Sequence, residues 1–352
     1  MANPAAWAGS WALAPLLSIK TDRMKTVILK DTRSAEHVGC ELVMENTLRA
    51  CARGGLEVVG LRTTQDAKES LVHGLDGPRV PPFDGLLING EGSMHHDRPV
   101  PTHLCHAARW ARDNGKRVVL YNSLWQDNER LNEYLDAFDA IYCRDAQSAA
   151  AIERAGGKAQ VVPDMVFASK FPEFRVVAPG ARDADGAILP QPNEWVVVDS
   201  IDRRKSERLS KFAASHGYPF LHMDRIGYER LRKKLFIRTG GFFPGEALVT
   251  RFLKVLRSGQ HVLSGRFHGT CLAMVLGIPV VSVASNTDKL QALHADVGLP
   301  EDLVLNSVPR RLSGIERVLV ELEERQDKVS DFVSHASKRI DAMFDEIADL
   351  FR

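Results

Sequence analysis

The sequence contains few cysteines, and none has the spacing of a metal or disulfide motif. The five cysteines include no CxxC pair, and several lie inside apolar runs, as reduced thiols of cytosolic proteins do. This pattern argues against a disulfide framework and against a zinc site, and it predicts a cytoplasmic protein without a bound metal. The five residues are Cys40, Cys51, Cys105, Cys143 and Cys271.

The chain also lacks an excess of charge of either sign. Lysine and arginine number 46, and aspartate and glutamate number 45, which gives a net charge of +1. Such a balance produces no global field that would attract nucleic acid, so we expect no nucleic-acid partner. Any anion-binding site must therefore be local.

No stretch of the sequence approaches the roughly 20 apolar residues that a membrane-spanning helix needs. Residues 1–20, "MANPAAWAGSWALAPLLSIK", are mildly apolar, but they lack a basic start, and Pro4 and Pro15 interrupt them. We expect neither a signal peptide nor a membrane span here. A leader without structure, or a start codon assigned too early, is favoured over a membrane-contacting segment. Peripheral association with the inner membrane stays open.

Three common catalytic signatures are missing. There is no GxxxxGK[ST] phosphate loop and no GxGxxG opening the first predicted helix, which argues against a nucleoside triphosphatase and an NAD-dependent enzyme. The GxSxG turn of α/β-hydrolases is absent as well. The chemistry must therefore lie in other strand-end motifs.

What the sequence does contain is a regular alternation of β-branched strands and amphipathic helices. With 44% hydrophobic and 26% charged residues it has a globular composition, and its 352 residues exceed what one core usually serves. The alternation predicts parallel sheets. Strands are predicted at 25–30, 56–62, 83–90, 116–123, 139–145, 159–164, 194–200, 219–224, 260–265 and 278–284, and one or two helices at 312–352.

A segment rich in Pro, Gly and Asp at 170–193 divides this pattern and is interpreted as a linker. We predict an α/β, GT-B-like fold: two Rossmann-like domains face a central cleft, and C-terminal helices pack back across them. The predicted domains are an N-terminal one at 22–180, a C-terminal one at 190–308 and the helices at 309–352. Ligands of such sheets bind beyond the carboxyl ends of the strands, which places the site in the cleft.

The stretch "VLSGRFHGTCLAMVLGIPVVSV" at 262–283 places charged side chains at a strand-to-helix turn. Gly265 and Gly269 flank Arg266 and His268, so backbone N–H groups and a helix N-terminus can face an anion. The arginine adds a planar fork for carboxylate or phosphate, and the histidine can exchange a proton near neutral pH. The alternative is a capping arginine and a hydrogen-bonded core histidine.

A second strand-end cluster, "INGEGSMHHD" at 88–97, combines glycines with ionisable groups. The glycines allow close approach of a ligand to the backbone, while the other side chains supply acid, base or hydrogen-bonding groups. We favour proton transfer or sugar hydroxyl binding over a metal site. The candidates are Gly90, Glu91, Gly92, Ser93, His95 and His96.

Three further strand-end loops supply weaker candidates. Arg144 follows a strand and would face the same cleft as Arg266, whereas its neighbour Asp145 is equally well explained as a helix N-cap. The loop "SVASNTDKL" contributes Asn286 and Lys289, with an ordinary capped loop as the even alternative. The loop after the first strand contributes His37 and Glu41.

Three segments together resemble the polysaccharide pyruvyltransferase family, whose members show a Gly-rich strand-end loop, RD-x-x-S leading to PD, and R-x-H-G before a Lys-containing loop. The resemblance runs from about residue 26 to about residue 299. The family's G-D-E is matched loosely by "VGCE" at 38–41, and its G-G-G by "GEG" at 90–92. The segments are "GLLINGEGS", "IYCRDAQSAAAIERAGGKAQVVPDMVF" and "LSGRFHGTCLAMVLGIPVVSVASNTDKLQALHADVGL".

The resemblance implies a GT-B-like fold and transfer of a pyruvyl unit from phosphoenolpyruvate, the donor substrate, to two hydroxyls of a sugar. The products would be a cyclic ketal and phosphate, and the acceptor a cell-surface polysaccharide or its lipid-linked precursor. Carried over by motif, Arg266 and His268 would meet the donor, with Arg144 assisting and the N-terminal half facing the acceptor. His268 would act as general acid and Glu91 as base.

Two other functions stay open at this point. The nearest is a glycosyltransferase on the same fold that uses a nucleotide-activated sugar, such as a CMP-activated 2-keto sugar acid, because fold does not fix function. The other is a sugar-binding or scaffold protein without catalysis, which the density of His, Arg and Glu at strand ends argues against.

Overall fold

The first half of the chain is built on a six-stranded parallel sheet. A computed structural model describes residues 23–64, 80–171, 193–224, 248–285 and 287–352. The strand order is β2-β1-β3-β4-β5-β6, and every pairing is parallel. The strands are β1 (Lys25–Leu29), β2 (Glu57–Arg62), β3 (Gly85–Glu91), β4 (Arg117–Ser123), β5 (Ala140–Cys143) and β6 (Gln160–Val161).

A four-stranded parallel sheet forms the second half, in the order β10-β9-β7-β8. Its strands are β7 (Asn193–Ser200), β8 (Phe220–Leu221), β9 (Gly259–Gly265) and β10 (Val280–Ser282). Strands β3, β4 and β7 are buried along nearly their whole length, as expected of parallel strands with both faces covered.

Helices follow the strands in both halves. They are α1 (Val38–Arg53), α2 (Pro99–Asp113), α3 (Ala146–Arg154), α4 (Arg203–His216), α5 (Leu248–Leu256), α6 (Phe267–Val275), α7 (Lys289–Val297), α8 (Ser313–Glu323) and α9 (Gln326–Phe351). The predicted C-terminal helical run is thus two consecutive helices. None of the described helices is long and apolar enough to cross a membrane.

Helix α9 joins the two halves. Its Phe344 packs edge-on against Tyr121 of β4 at 6.0 Å between ring centres, and its Glu346 accepts a hydrogen bond from the hydroxyl of Tyr142 in β5 (3.0 Å). The same helix contacts α6 and α7 of the second half. One hydrophobic core accordingly contains residues of both sheets and of α9, and a separate core covers the other face of the first sheet.

Both sheets have a point where the direction of strand addition reverses. In the first sheet this switch lies between β1 and β3, and in the second it lies between β7 and β9. The loops leaving neighbouring strands diverge at such a point and leave a crevice for a ligand. The fold thus confirms the α/β, GT-B-like prediction. The linker prediction at 170–193 falls almost wholly outside the described residues, as does the N-terminal segment.

Candidate functional site

The carboxyl end of β3 carries a buried ion pair. Glu91, the last residue of β3, is 5% exposed, and its Oε2 lies 3.8 Å from Nζ of Lys30, which follows β1. Lys30 also donates to the carbonyl of Gly90 (2.7 Å), and the thiol of Cys40 donates to Oε1 of Glu91 (3.1 Å). Burial alone would raise the pKa of Glu91, but Lys30, His268 and the hydrogen bond from Cys40 together outweigh it and the pKa is lowered. Glu91 is therefore held as a carboxylate.

His37 and His268 meet across the two halves. His37 caps α1, accepting from the backbone N–H of Cys40 (3.3 Å), and its ring lies 5.5 Å from the ring of His268 in an edge-on arrangement. Burial, and then the proximity of His268, lower the pKa of His37 to about 4. A Cβ at Gly39 would overlap the Nδ1 edge of the His268 ring, so only glycine lets the imidazole lie this close to the start of α1.

The other ring nitrogen of His268 faces Asp164. The carboxylate Oδ2 of Asp164 lies 3.6 Å from Nε2 of His268 and 3.3 Å from Nη1 of Arg144, and its Oδ1 accepts from the backbone N–H of Val166 (3.0 Å). Asp164 is 1% exposed. Burial would raise the pKa of Asp164, but His268 and then Arg144 outweigh it and the pKa is lowered. One buried carboxylate thus bridges two cationic groups.

Arg144 is buried but incompletely paired. Its guanidinium stacks over the ring of Phe267 at 4.2 Å, and its Nε and Nη2 are buried without a hydrogen-bond partner. A Cβ at Gly92 would lie 3.6 Å from Nη2, in ordinary van der Waals contact, so the backbone there leaves space beside the guanidinium. Buried donors are nearly always satisfied, and two orphaned ones on a single guanidinium point to an anion that binds here.

Arg266 is fully engaged in comparison. Its Nε and Nη2 donate to the two oxygens of Asp199 (2.9 and 2.8 Å), and Nη2 also donates to Asp224 (2.6 Å). Asp199 ends β7 at 3% exposure and accepts from the backbone N–H of Met223 (3.3 Å). The carboxylates of Asp199 and then Asp224 raise the pKa of Arg266 against the opposing effect of burial. This arginine braces the turn between β9 and α6.

Lys289 begins α7 and points a cation into the same region. Burial, and then the positive charges of Arg144 and Arg266, lower its pKa to about 8. Nothing in the described part of the chain forms a hydrogen bond or ion pair with its ammonium group. Thr287 nearby also has a buried hydroxyl without a partner. A crowded, unneutralised ammonium is a second donor suited to an anion.

The histidine pair after β3 divides between the interior and the surface. His95 is 5% exposed, and burial, followed by the charge of Arg98, lowers its pKa to about 4. Its Nδ1 lies 2.8 Å from Nδ1 of His96, whose ring is half-exposed and whose Nε2 lies 3.3 Å from Asp127. Lys289 also contributes to the lowered pKa of His95, which places His95 on the cleft side of this loop.

Strained backbone is concentrated at this edge of the first sheet. All seven non-glycine residues with positive φ in the described ranges lie at or after the carboxyl ends of β1, β3 and β4. Side chains with a Cβ seldom adopt this conformation, and when they do it is most often at functional sites. The residues are Lys30, Glu36, Glu91, His96, Asp97, Asn122 and Asp127.

The motif glycines serve packing more than ligand access. A Cβ at Gly90 would overlap the side chain of Ser123, and added Cβ atoms at Gly265 and Gly269 would come within 2.7 Å of side chains on the neighbouring strands. Gly92 differs from these three glycines, because a Cβ there would make only an ordinary van der Waals contact with the guanidinium of Arg144. Packing therefore requires glycine at the other three positions, and the approach of a ligand to the backbone at these glycines stays a prediction.

The structure brings most of the predicted residues to one place. Glu91, His37, His268, Arg144, Arg266, Lys289 and His95 influence one another electrostatically, while Asp145 is the N-cap of α3, accepting from the N–H of Ser148 (2.7 Å). Ser93 lies in the turn after β3, Glu41 in the first turn of α1, and Asn286 outside the described residues.

Sequence reasoning missed the groups that hold these side chains in place. Lys30, Cys40, Asp164 and Asp199 each end or follow a strand or begin a helix, and each pairs with a residue at least 20 positions away. A single sequence carries no signal for such pairs. A strand-terminal charge after an apolar run is the only available hint.

The solved structures that resemble this chain share little of its sequence. The solved structures that resemble the chain include a functionally uncharacterized protein from Klebsiella pneumoniae, with 14% identity, 77% of this chain and 88% of that chain covered, and a TM-score of 0.47. Another is the UDP-GlcNAc 2-epimerase from Neisseria meningitidis bound to UDP-GlcNAc, with 12% identity, coverage of 90% and 97%, and a TM-score of 0.48. No curated protein matches the sequence.

The decisive comparison is with protein families. The family model described as polysaccharide pyruvyl transferase matches residues 37–287. The matched span begins at His37, continues through β3 and the Arg144–Asp164 pair, and includes the turn that holds Arg266 and His268. It covers more than half of the chain and contains most of the groups that meet in the cleft, all but Lys30 and Lys289. The chain belongs to the polysaccharide pyruvyl transferase family.

Proposed function

We propose that the protein transfers a pyruvyl group from phosphoenolpyruvate to two hydroxyls of a saccharide, forming a cyclic ketal and releasing phosphate. The single observation that carries the proposal is Arg144, whose Nε and Nη2 are buried and lack partners between the two halves. A donor with a phosphate and a carboxylate matches this guanidinium together with Lys289 and the N-terminus of α6.

The structure suggests a division of labour different from the one the motifs alone implied. Two nitrogens of Arg266 donate to Asp199, and one of them also donates to Asp224. The main role of Arg266 is therefore to hold the β9–α6 turn. Arg144 and Lys289 then take the anionic groups of the donor. Arg144 is connected to the His268 ring through Asp164 and Phe267.

In the proposed reaction His268 begins as an imidazolium and donates a proton to the enol methylene of the donor, which becomes a methyl group. The resulting oxocarbenium-like carbon is attacked by one sugar hydroxyl. A second hydroxyl then forms the second C–O bond as the bond to phosphate breaks. Two hydroxyl protons are released: one restores His268, and the other is accepted by Glu91 and passed to the departing phosphate.

Glu91 supports this sequence as the base that accepts a hydroxyl proton. Its carboxylate is kept ionised by Lys30 and receives the Cys40 thiol, which limits its basicity but fixes its orientation. The loop after β3, with Ser93, His95 and His96, and the loop before α1, with His37 and Glu41, would then contact the acceptor. This assigns the acceptor to the N-terminal half and places the donor between Arg144 of that half and Lys289 and His268 of the C-terminal half.

The cellular setting of the proposal follows from the thiols. All five cysteines are free, and four of them are buried, which suits a reducing compartment. We place the reaction in the cytoplasm, on a precursor of a cell-surface polysaccharide, with peripheral contact to the inner membrane when the acceptor is lipid-linked.

The test is incubation of the purified protein with phosphoenolpyruvate and candidate saccharides, free and lipid-linked. We expect phosphate release that depends on the acceptor, and a product whose mass increases by one pyruvyl ketal. His268→Gln should abolish both signals, whereas the matched control His335→Gln, an exposed histidine on α9, should retain them. Thermal-shift binding of CMP or UDP without any phosphoenolpyruvate turnover would instead support a glycosyltransferase and overturn the proposal.

A further inference from the structure

Asp164 lies where the two halves touch. It follows β6 and begins the short helical turn Met165–Ala168, to which its Oδ1 is bound through the N–H of Val166. Its Oδ2 faces a guanidinium of its own half, Arg144, and an imidazole of the other half, His268. The carboxylate is 1% exposed, so solvent does not screen these contacts.

The two cations are not held equally. Nη1 of Arg144 is at hydrogen-bond distance from Oδ2, 3.3 Å, while Nε2 of His268 is 3.6 Å away and has no hydrogen-bond partner. Hydrogen bonds that position catalytic groups are often long before substrate binds and shorten afterwards. An anion that binds the unpaired nitrogens of Arg144 would compete with Asp164 for the guanidinium. Oδ2 of Asp164 would then be free to accept a hydrogen bond from His268.

The two ring nitrogens of His268 have different surroundings. Nε2 points at Asp164, and Nδ1 lies beside Gly39, where the absence of a side chain lets the imidazole approach the backbone closely. A carboxylate on one nitrogen fixes which tautomer is present and stabilises the imidazolium, and the opposite nitrogen then exchanges the proton with a ligand.

Four other ionisable groups interact electrostatically with Asp164 or His268. Lys30, Glu91 and Cys271 also respond to the charge of Asp164, and His37 responds to that of His268. Only Asp164 is within 4.0 Å of Nε2 among the acidic groups of the described chain.

We propose that Asp164 is a positioning residue that holds a proton on Nε2 of His268, so that Nδ1, beside Gly39, is the nitrogen that delivers a proton to the donor substrate. This rests on the proposed function, because it assigns the proton donor of that reaction. It also makes the pair a contact between the halves, since the carboxylate and the imidazole come from different sheets.

The experiment compares Asp164→Asn with Asp145→Asn. Both changes replace a buried carboxylate near Arg144 by an amide, and asparagine caps α3 as well as aspartate does, but only Asp164 faces His268. We expect kcat of D164N to fall about 10²-fold, with the alkaline limb of its pH–rate profile moved to lower pH. KM for phosphoenolpyruvate should not rise, because Arg144 loses a counter-charge. D145N should keep kcat within about 3-fold.

A double mutant separates positioning from other roles. If Asp164 acts through His268, H268Q/D164N is no slower than H268Q, because the second change removes nothing further. Effects that multiply in the double mutant, or a D164N that loses kcat and raises KM together, would overturn the assignment.

One readout does not depend on turnover. In protein labelled with ¹⁵N-histidine, with H268Q identifying the signals, the His268 ring nitrogens of D164N at pH 7 should move towards the positions of a neutral ring. Unchanged signals in D164N refute the role of Asp164 whatever the activity. The expected shift in a protein that makes no ketal from any acceptor would instead sustain the pair and refute the proposed function.

Discussion

Two arginines occupy equivalent places in the two halves, each just beyond the carboxyl end of a strand, and their surroundings are opposite. Arg144 donates a hydrogen bond to one carboxylate, that of Asp164, and its Nε, 4.0 Å from Asp145, and its Nη2 are buried without hydrogen-bond partners. Arg266, in contrast, donates to both Asp199 and Asp224. The same side chain thus serves recognition in one half and support in the other. The difference shows that the role of an arginine in a motif depends on which of its N–H donors lack partners, and not on its position alone.

The largest expected effect comes from exchanging the two arginines for glutamine. Arg144→Gln should lower kcat/KM for phosphoenolpyruvate about 10³-fold, because two hydrogen bonds to charged groups are lost, and it should reduce stability less than Arg266→Gln because Asp164 keeps His268 as a neighbour. Arg266→Gln should instead destabilise the fold by about 3 kcal/mol, since it leaves a buried carboxylate unpaired. Steady-state kinetics and denaturant unfolding of both variants measure the contrast. Equal losses of affinity for phosphoenolpyruvate in the two variants would contradict the proposed difference between the arginines.

Gly39→Ala should have the next largest effect, because the new Cβ would overlap the imidazole of His268. A displacement of about 1 Å in a catalytic group costs about 10²-fold in kcat. Gly92→Ala is the matched comparison: its Cβ would only touch the guanidinium of Arg144 at 3.6 Å, so it should raise KM and leave kcat nearly intact. Unchanged kcat in G39A would show that this edge of the ring is not used.

A smaller effect is expected from the pH dependence of donor binding. Lys289 has a pKa of about 8 in the free protein, so its positive charge is present below that pH and is lost as the pH rises through it. KM for phosphoenolpyruvate should therefore increase by about 10-fold between pH 7 and pH 9. Lys289→Arg keeps its charge throughout and should flatten this increase. A flat profile in the unmodified protein would exclude Lys289 as a ligand.

The smallest effect concerns a contact between the halves outside the catalytic cluster. Asp296 of α7 accepts from the N–H of Ala146 at the start of α3 (3.3 Å), and burial, then Asp145, raise its pKa to about 6. A raised carboxylate pKa destabilises the fold above about pH 6, and the penalty vanishes as the pH falls towards 4. Asp296→Asn should therefore raise Tm by about 1–2 °C at pH 7.5 and hardly at all at pH 4.5. A lower Tm at pH 7.5 would contradict this.

The same contrast between the arginines marks what the sequence can predict. Alternating strands and helices, the strand-end motifs and the C-terminal helices all follow from local patterns, and the structure has them within a few residues of the predicted bounds. The engagement of Arg266 depends on Asp199, which is 67 positions away. Which strand lies beside which is a property of the folded sheets, and no local pattern encodes it.

Gly39 and Cys40 illustrate the remaining gap. In the sequence they are part of a loose match to a family motif, and nothing marks the glycine as the neighbour of an imidazole some 230 residues later. The contact exists only because α1 and α6 start from switch points that face each other. Side-chain partners across a cleft require the coordinates of both halves.

The positive-φ residues have a consequence for engineering. Every described glycine with positive φ lies at or just after the C-terminal end of a helix, while the seven larger residues with that conformation lie at the strand ends around the cleft. At the helix ends, glycine adopts positive φ without strain. At the strand ends around the proposed site, larger residues adopt it and the backbone stays strained. Exchanging Asp97 or Asp127 for glycine should therefore relieve strain and gain stability. The same exchange at Lys30 or Glu91 would lower both activity and stability, because it leaves the other member of a buried ion pair without its partner.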